Sequence, residues 1–109
     1  IIKIKYIRLE KNLKYPGLVR QVGIDNTQGQ FIMFLDSDDI LSPTAVEFAN
    51  NEMMKSGADV ILGYFLRQEK DGFYVMGEKN TTWLHGNVYR RSYLEKYNIR
   101  SDVELNIYA

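Results

Sequence analysis

The chain has no cysteine among its 109 residues, which excludes disulfides and thiolate metal sites and leaves its redox compartment open. No apolar run approaches the roughly 20 residues that a membrane-spanning helix needs, and no signal-peptide pattern is present. A surplus of either charge is also missing: fourteen basic and fourteen acidic side chains cancel. Nucleic-acid binders draw affinity from basic side chains on phosphates, so that balance speaks against this class. Internal repeats, low-complexity tracts and linkers are absent as well.

What is there suits a soluble globular domain. Hydrophobic residues make up 45% and charged residues 26%, and the length allows at most one domain with a single core. The chain opens on Ile1-Ile2-Lys3-Ile4 without an initiator methionine and stops at Asn106-Ile107-Tyr108-Ala109. Both ends read as cut, so a partial domain over residues 1–109 is expected.

Ile4, Tyr6 and Ile7 among basic residues predict a short strand. Pro16 suits the first turn of a helix over residues 18–28, with Leu18, Val19 and Val22 on one side and Gln21, Asp25 and Gln28 as the polar stripe. Gly29 is placed to end it. Arg20 falls outside that stripe, as a partly covered or snorkelling arginine would. Phe31-Ile32-Met33-Phe34-Leu35 is continuously apolar, as a parallel strand buried on both faces would be. Ser42 and Pro43 read as N-cap and first residue of a helix carrying Val46, Ala49 and Met53 and closed by Gly57. Residues 58–66 read as a core strand, and Asp71-Gly72 as the turn of an antiparallel hairpin. Residues 77–82 read as a polar loop, 83–89 as a strand and 92–97 as a short helix. Strands alternating with helices, then a hairpin, predict an α/β fold with a mainly parallel sheet and a right-handed first crossover.

The apolar strand runs into Asp36-Ser37-Asp38-Asp39. Three carboxylates so close repel one another, and burying them unpaired is costly. The carboxyl end of a strand is where open α/β sheets bind ligands. A divalent cation bridging carboxylates and phosphate oxygens accounts for both, and such ligands suit magnesium or manganese. The plainer reading is a solvated acidic turn capping the next helix. The glycine that a calcium loop requires after its third acidic position is missing, since Ile40 follows Asp39, which speaks against such a loop.

Together, Arg20-Gln21-Val22-Gly23-Ile24-Asp25, the run from Gly29-Gln30-Phe31 through Asp36-Ser37-Asp38-Asp39, and Pro43 closely resemble the family 2 glycosyltransferases of GT-A fold. The stretch from Trp83-Leu84-His85-Gly86-Asn87 through Tyr97-Asn98-Ile99 resembles that family's following strand and helix. The resemblance implies a GT-A-like (Rossmann-like) α/β fold, partial, with helices flanking a mainly parallel sheet. It implies inverting transfer from a nucleotide-sugar donor to an acceptor hydroxyl on a saccharide, a lipid-linked molecule or a protein. Asp36, Asp38 and Asp39 would hold the metal and donor diphosphate, Arg20 would approach the nucleotide, and His85 would lie beside the acidic cluster as a further ligand. A cytoplasmic location, at the inner face of the membrane, goes with such a donor. The family's opening segment, which holds the nucleoside, has no counterpart here, and neither does its acidic pair supplying the catalytic base. Asp102 or Glu104 would take that role, unless both are plain exposed acids.

Arg90 and Arg91 would contact phosphate or sit at a solvated helix start, and the aromatic residues between Tyr64 and Tyr74 would be core rather than a sugar platform. An open sheet edge where strands are missing would invite two copies to dimerise. The rival readings are a non-catalytic nucleotide- and metal-binding module, a structural domain, and a sugar-phosphate nucleotidyltransferase. The last would carry a glycine-rich loop near its start.

Overall fold

The computed structural model describes residues 3–76 and 86–101. They fall into two units, Ile1–Asn26 with Arg100–Ala109, and Thr27–Ile99.

In the first unit, residues 4–8 form no strand, and Ile4 and Tyr6 are exposed. β-Branched composition favours a strand only where a ladder partner exists, and no described residue pairs with this segment. Helix α1 spans Pro16–Asp25 with Pro16 in its first turn, as expected. It ends before Gln28, because Asn26 closes it. The Asn26 side-chain amide donates to the Val22 carbonyl at 2.8 Å, while its backbone N–H is shared between Val22 and Gly23. Gly29 therefore terminates nothing.

The polar stripe also needs correction. Gln21 is 4% exposed, and Val19 is exposed instead. Gln21 Oε1 accepts the Ser101 N–H at 2.8 Å and its Nε2 donates to Asp25 at 2.9 Å. A buried amide partnered at both ends costs little. Ser101 Oγ donates to the Gly17 carbonyl at 2.7 Å. A Cβ on Gly17 would overlap the Ser101 carbonyl oxygen, so this approach needs glycine.

The second unit runs β1 (Phe31–Met33), α2 (Ala45–Ser56), β2 (Val60–Ile61), β3 (Phe65–Glu69), β4 (Gly72–Met76), β5 (Val88–Arg90) and α3 (Arg91–Lys96). One sheet has the order β1-β5-β2, and β3 pairs with β4 in a separate hairpin. Both outer strands are antiparallel to β5. Strands β1 and β2, joined through α2, thus share a direction without bonding to each other. The expected mainly parallel ladder is not what the described strands form. Burial on both faces holds for the strand itself and says nothing of its direction. Phe31 and Met33 pack with the α2 core, and Ile32 on the other face is 7% exposed, whereas Leu35, past the end of the strand, is exposed.

Val88 explains the core. It stands opposite Met33 on one side and Ile61 on the other, and Ala49 and Met53 of α2 pack on it. Met53 is wholly buried. Val46, expected on that face, is exposed. Helix α2 begins after a turn in which the Ser42 carbonyl accepts the Ala45 N–H at 3.1 Å. Pro43 therefore sits inside that turn rather than at the first helical position, and Thr44 is the N-cap. Gly57 closes the helix at φ 66°, as its place in the sequence predicts.

The apolar stretch expected as one strand over residues 58–66 is divided between β2 and β3. The hairpin forms as expected, with Lys70 and Asp71 as the two turn residues and Gly72 opening β4. Helix α3 lies within one residue of its expected span. The polar loop over residues 77–82 and the first part of the strand expected over 83–89 lie outside the described residues.

Candidate active site

The acidic segment joins β1 to α2. After Met33 the chain leaves the sheet, and the Asp36 carbonyl accepts the Asp39 N–H at 3.1 Å. That bond closes a β-turn with Ser37 and Asp38 at its centre, a conformation aspartate and serine favour. One carboxylate oxygen from each of Asp36, Asp38 and Asp39 lies within 4.8 Å of the other two. Opposite ligands of an octahedral magnesium ion stand about 4.2 Å apart, twice the metal–oxygen distance. Of any three octahedral ligands at least two pairs are neighbours, about 3 Å apart, so side-chain rotation would have to draw the carboxylates well inside 4.8 Å. As hard oxygen donors they are of the type that suits magnesium or manganese. All three carboxylates reach solvent, which leaves room for phosphate oxygens and water as further ligands.

The strand end that presents this turn is held by aromatic and amide contacts. Phe34 meets Tyr89 edge-on, with ring centroids 6.1 Å apart at 61°. The Tyr89 hydroxyl accepts from Asn87 Nδ2 at 3.3 Å, and Asn87 Oδ1 accepts the Gly63 N–H at 3.4 Å. Asn87 is 4% exposed. None of these residues carried a signal in the sequence beyond a buried-looking strand.

Arg90 is drawn into backbone and aromatic contacts rather than standing at a solvated helix start, whereas Arg91 opens α3 with bonds that reach solvent. Arg90 donates through Nε and Nη2 to the Ala58 carbonyl at 3.1 and 2.9 Å, and through Nη2 to the Met53 carbonyl at 3.3 Å. Its guanidinium also lies 5.2 Å over the Phe31 ring and 3.7 Å from Asp59. It thereby ties the negative end of α2 to β1. Arg91 donates to the Gly29 carbonyl at 2.6 Å and to Thr27 Oγ1 at 2.7 Å.

Of the aromatic residues between Tyr64 and Tyr74, expected as core, Tyr64, Phe73 and Tyr74 are exposed. Arg20 is half-buried in α1, within the first unit. His85, Asp102 and Glu104 lie outside the described residues. Among the described residues, Asp36, Asp38 and Asp39 form the one group of three or more side chains that could hold a metal ion.

The model of glycosyl transferase family 2 matches residues 1–106. The match takes in the acidic turn along with nearly all of the chain, and the chain belongs to glycosyl transferase family 2. It is 35% identical over 73 residues to the glycosyltransferase GlyG of Streptococcus pneumoniae, covering 63% of this chain and 24% of that protein. It is 29% identical over 62 residues to TarP of Staphylococcus aureus, a poly(ribitol-phosphate) beta-N-acetylglucosaminyltransferase, covering 57% and 19%. With TarS of the same species, which carries the same activity name, identity is 31% over 61 residues, 56% of this chain and 11% of the relative. The chain thus spans a quarter or less of these relatives. No solved structure matches it significantly. No described helix is long and apolar enough to cross a membrane.

Proposed function

We propose that the protein of which this chain is part transfers a sugar from a nucleoside-diphosphate sugar to an acceptor hydroxyl, with inversion at the anomeric carbon. The observation that carries this reading is the acidic turn Asp36–Asp39, gathered at the carboxyl end of β1 in a chain of this family. Asp38, with Asp36 and Asp39, would hold manganese or magnesium, and His85 is a candidate further ligand. The cation would neutralise the diphosphate and so stabilise it as a leaving group. Arg20 is the candidate contact to the nucleotide phosphates.

The acceptor oxygen attacks the anomeric carbon from the face opposite the diphosphate. The new carbon–oxygen bond forms as the old one breaks, and its electron pair leaves with the nucleoside diphosphate. The acceptor's proton passes to a carboxylate, for which Asp102 and Glu104 are the candidates. The names of TarP and TarS favour a polymeric, hydroxyl-rich acceptor over a lipid-linked one or a protein. Activated sugars of this kind are cytoplasmic, so the reaction would run there, at the inner face of the membrane when the acceptor is a membrane-assembled polymer. In the described sheet β1 and β2 are the edges, and a second copy would pair there if the protein dimerises.

Manganese with a nucleoside diphosphate should raise the melting temperature of the full-length protein. Linkage gives about 2.7 kcal/mol at a hundredfold excess over Kd. Asp38→Ala should abolish both the rise and turnover of the nucleotide sugar. A rise that survives Asp38→Ala removes Asp38 from the site. Binding without turnover would instead establish a non-catalytic module.

A further inference from the structure

We propose that Asn87 and Tyr89 are positioning residues for the acidic turn, acting through Phe34. This rests on the reading of Asp36, Asp38 and Asp39 as metal ligands. The segment over residues 34–44 has no regular structure, and within the turn one backbone bond joins Asp36 to Asp39. The direction in which the chain leaves β1 is one of the constraints on where the carboxylates point. That direction is set at Phe34, two residues before Asp36.

Phe34 is held by an aromatic contact rather than by a ladder partner. Tyr89 faces it edge-on at 6.1 Å, a geometry in which the positive edge of one ring meets the negative face of the other. Tyr89 is opposite Ile32 in β1 and Val60 in β2. Its ring thus sits over the middle of the sheet, with its hydroxyl free to choose a rotamer unless something fixes it. Asn87 fixes it. Two residues earlier on the same face, its buried amide donates to the hydroxyl at 3.3 Å and accepts the Gly63 N–H at 3.4 Å.

Gly63 and Gly86 pass so closely that a Cβ on Gly63 would overlap the Gly86 carbonyl oxygen. The anchor of this brace is therefore closely packed backbone. A chain of contacts runs from fixed backbone at the end of β2, through an amide and a phenol, to the ring preceding the carboxylates. An apolar side chain at position 87 would pack in the same place without polar atoms to satisfy. The buried amide is explained by what it orients. Groups outside a coordination sphere that orient its ligands are typically worth ten- to a hundredfold in metal affinity.

The test uses Tyr89→Phe, Asn87→Leu and the double variant in the full-length protein, with manganese alone as probe. Two readouts are taken: manganese affinity by titration, and solvent exchange of the Asp39 amide by NMR without metal. Tyr89→Phe keeps the ring and should weaken manganese roughly tenfold and speed Asp39 exchange, leaving α2 amides at wild-type rates. Asn87→Leu should do the same. The double variant should be no worse than the worse single one, because both act through one contact.

Wild-type affinity and Asp39 exchange in folded Tyr89→Phe overturn the proposal. So does faster exchange spread equally through α2, the mark of a purely structural loss, or additive effects in the double variant. If Asn87→Leu does not fold, Tyr89→Phe decides alone. A wild-type protein that takes up no manganese, with Asp39 exchange still faster in Tyr89→Phe, overturns the metal reading and leaves the brace on the turn standing.

Discussion

The hairpin and the three-stranded sheet lie in the same unit and are made of similar residues, yet they solve opposite problems. The hairpin has the longer ladder: β3 and β4 pair over five residues each, against two or three in β1, β2 and β5. Nevertheless Leu66 and Phe73 are 64% and 66% exposed in the hairpin, while Ile32 and Val88 in the sheet are 7% and 3% exposed. The difference is the cover. Helix α2 lays Ala49 and Met53 over Val88, and no described helix packs on the hairpin in that way. A two-residue turn makes the hairpin cheap to close, so it needs little burial to form. Joining β1 to β5 means closing a loop of more than fifty residues, and only packing on α2 offsets that cost. The acidic turn is mounted on the expensive, packed side.

Core truncation should break this comparison most sharply. Met53→Ala removes a fully buried side chain and should cost about 3 kcal/mol. Leu66→Ala in the hairpin should stay within about 0.5 kcal/mol. Denaturant melts of the full-length variants measure both. Equal losses would mean that something outside the described residues covers the hairpin.

Two arginines sharpen the same contrast. Arg90 binds the carbonyls of Met53 and Ala58 with its side chain 18% exposed. Arg67 pairs with Glu69 at 2.8 Å, but the two side chains are 54% and 43% exposed. Charge-assisted bonds sheltered from water are worth more than surface pairs that salt screens. Arg90→Met should cost about 2 kcal/mol, and Arg67→Met less than about 0.5 kcal/mol. Thermal melts at low and high salt test this, because Arg90 should matter at both and Arg67 at neither.

These contrasts also show what the sequence could say. The hairpin, its turn one residue earlier than Asp71-Gly72 suggested, the Gly57 cap and the acidic cluster were legible because local chemistry decides each. The direction of β1 was not. Its apolar run reports burial, and burial on both faces arises equally in an antiparallel ladder flanking β5. Gln21 was misplaced because its periodicity says polar, whereas its partner, Ser101, lies 80 residues away. Arg90 was read as a surface group for the same reason: its acceptors, Met53 on α2 and Ala58 just beyond it, are more than thirty residues distant. Residues 4–8 show the converse error, strand-like composition without a partner. For the candidate site, the gathering of three carboxylates was written in the sequence as their adjacency. The brace through Asn87, Tyr89 and Phe34 was not, since it exists only once three strands meet.

The smallest expected effect lies in the hairpin and depends on pH. The Tyr74 hydroxyl donates to Asp71 Oδ2 at 2.8 Å. That bond to a carboxylate, with partial cover of the ring adding to it, raises the Tyr74 pKa above its ordinary 10.0. The phenolate cannot donate and is repelled by Asp71, so folding favours the protonated phenol. The bond's contribution is therefore fully present below pH 10 and is lost as pH rises through the higher folded-state value. Tyrosinate absorbance, compared between the wild type and Tyr74→Phe, should isolate a phenol titrating late. Asp71→Asn should bring that titration back toward 10.0. If Tyr74 titrates unchanged in Asp71→Asn, the contact does not hold in solution. Because the bond spans only three residues, losing it should loosen the turn and leave the α2 amides as protected as before. Exchange that quickens in α2 along with Tyr74 ionisation would show the hairpin and the packed sheet to be one cooperative unit after all.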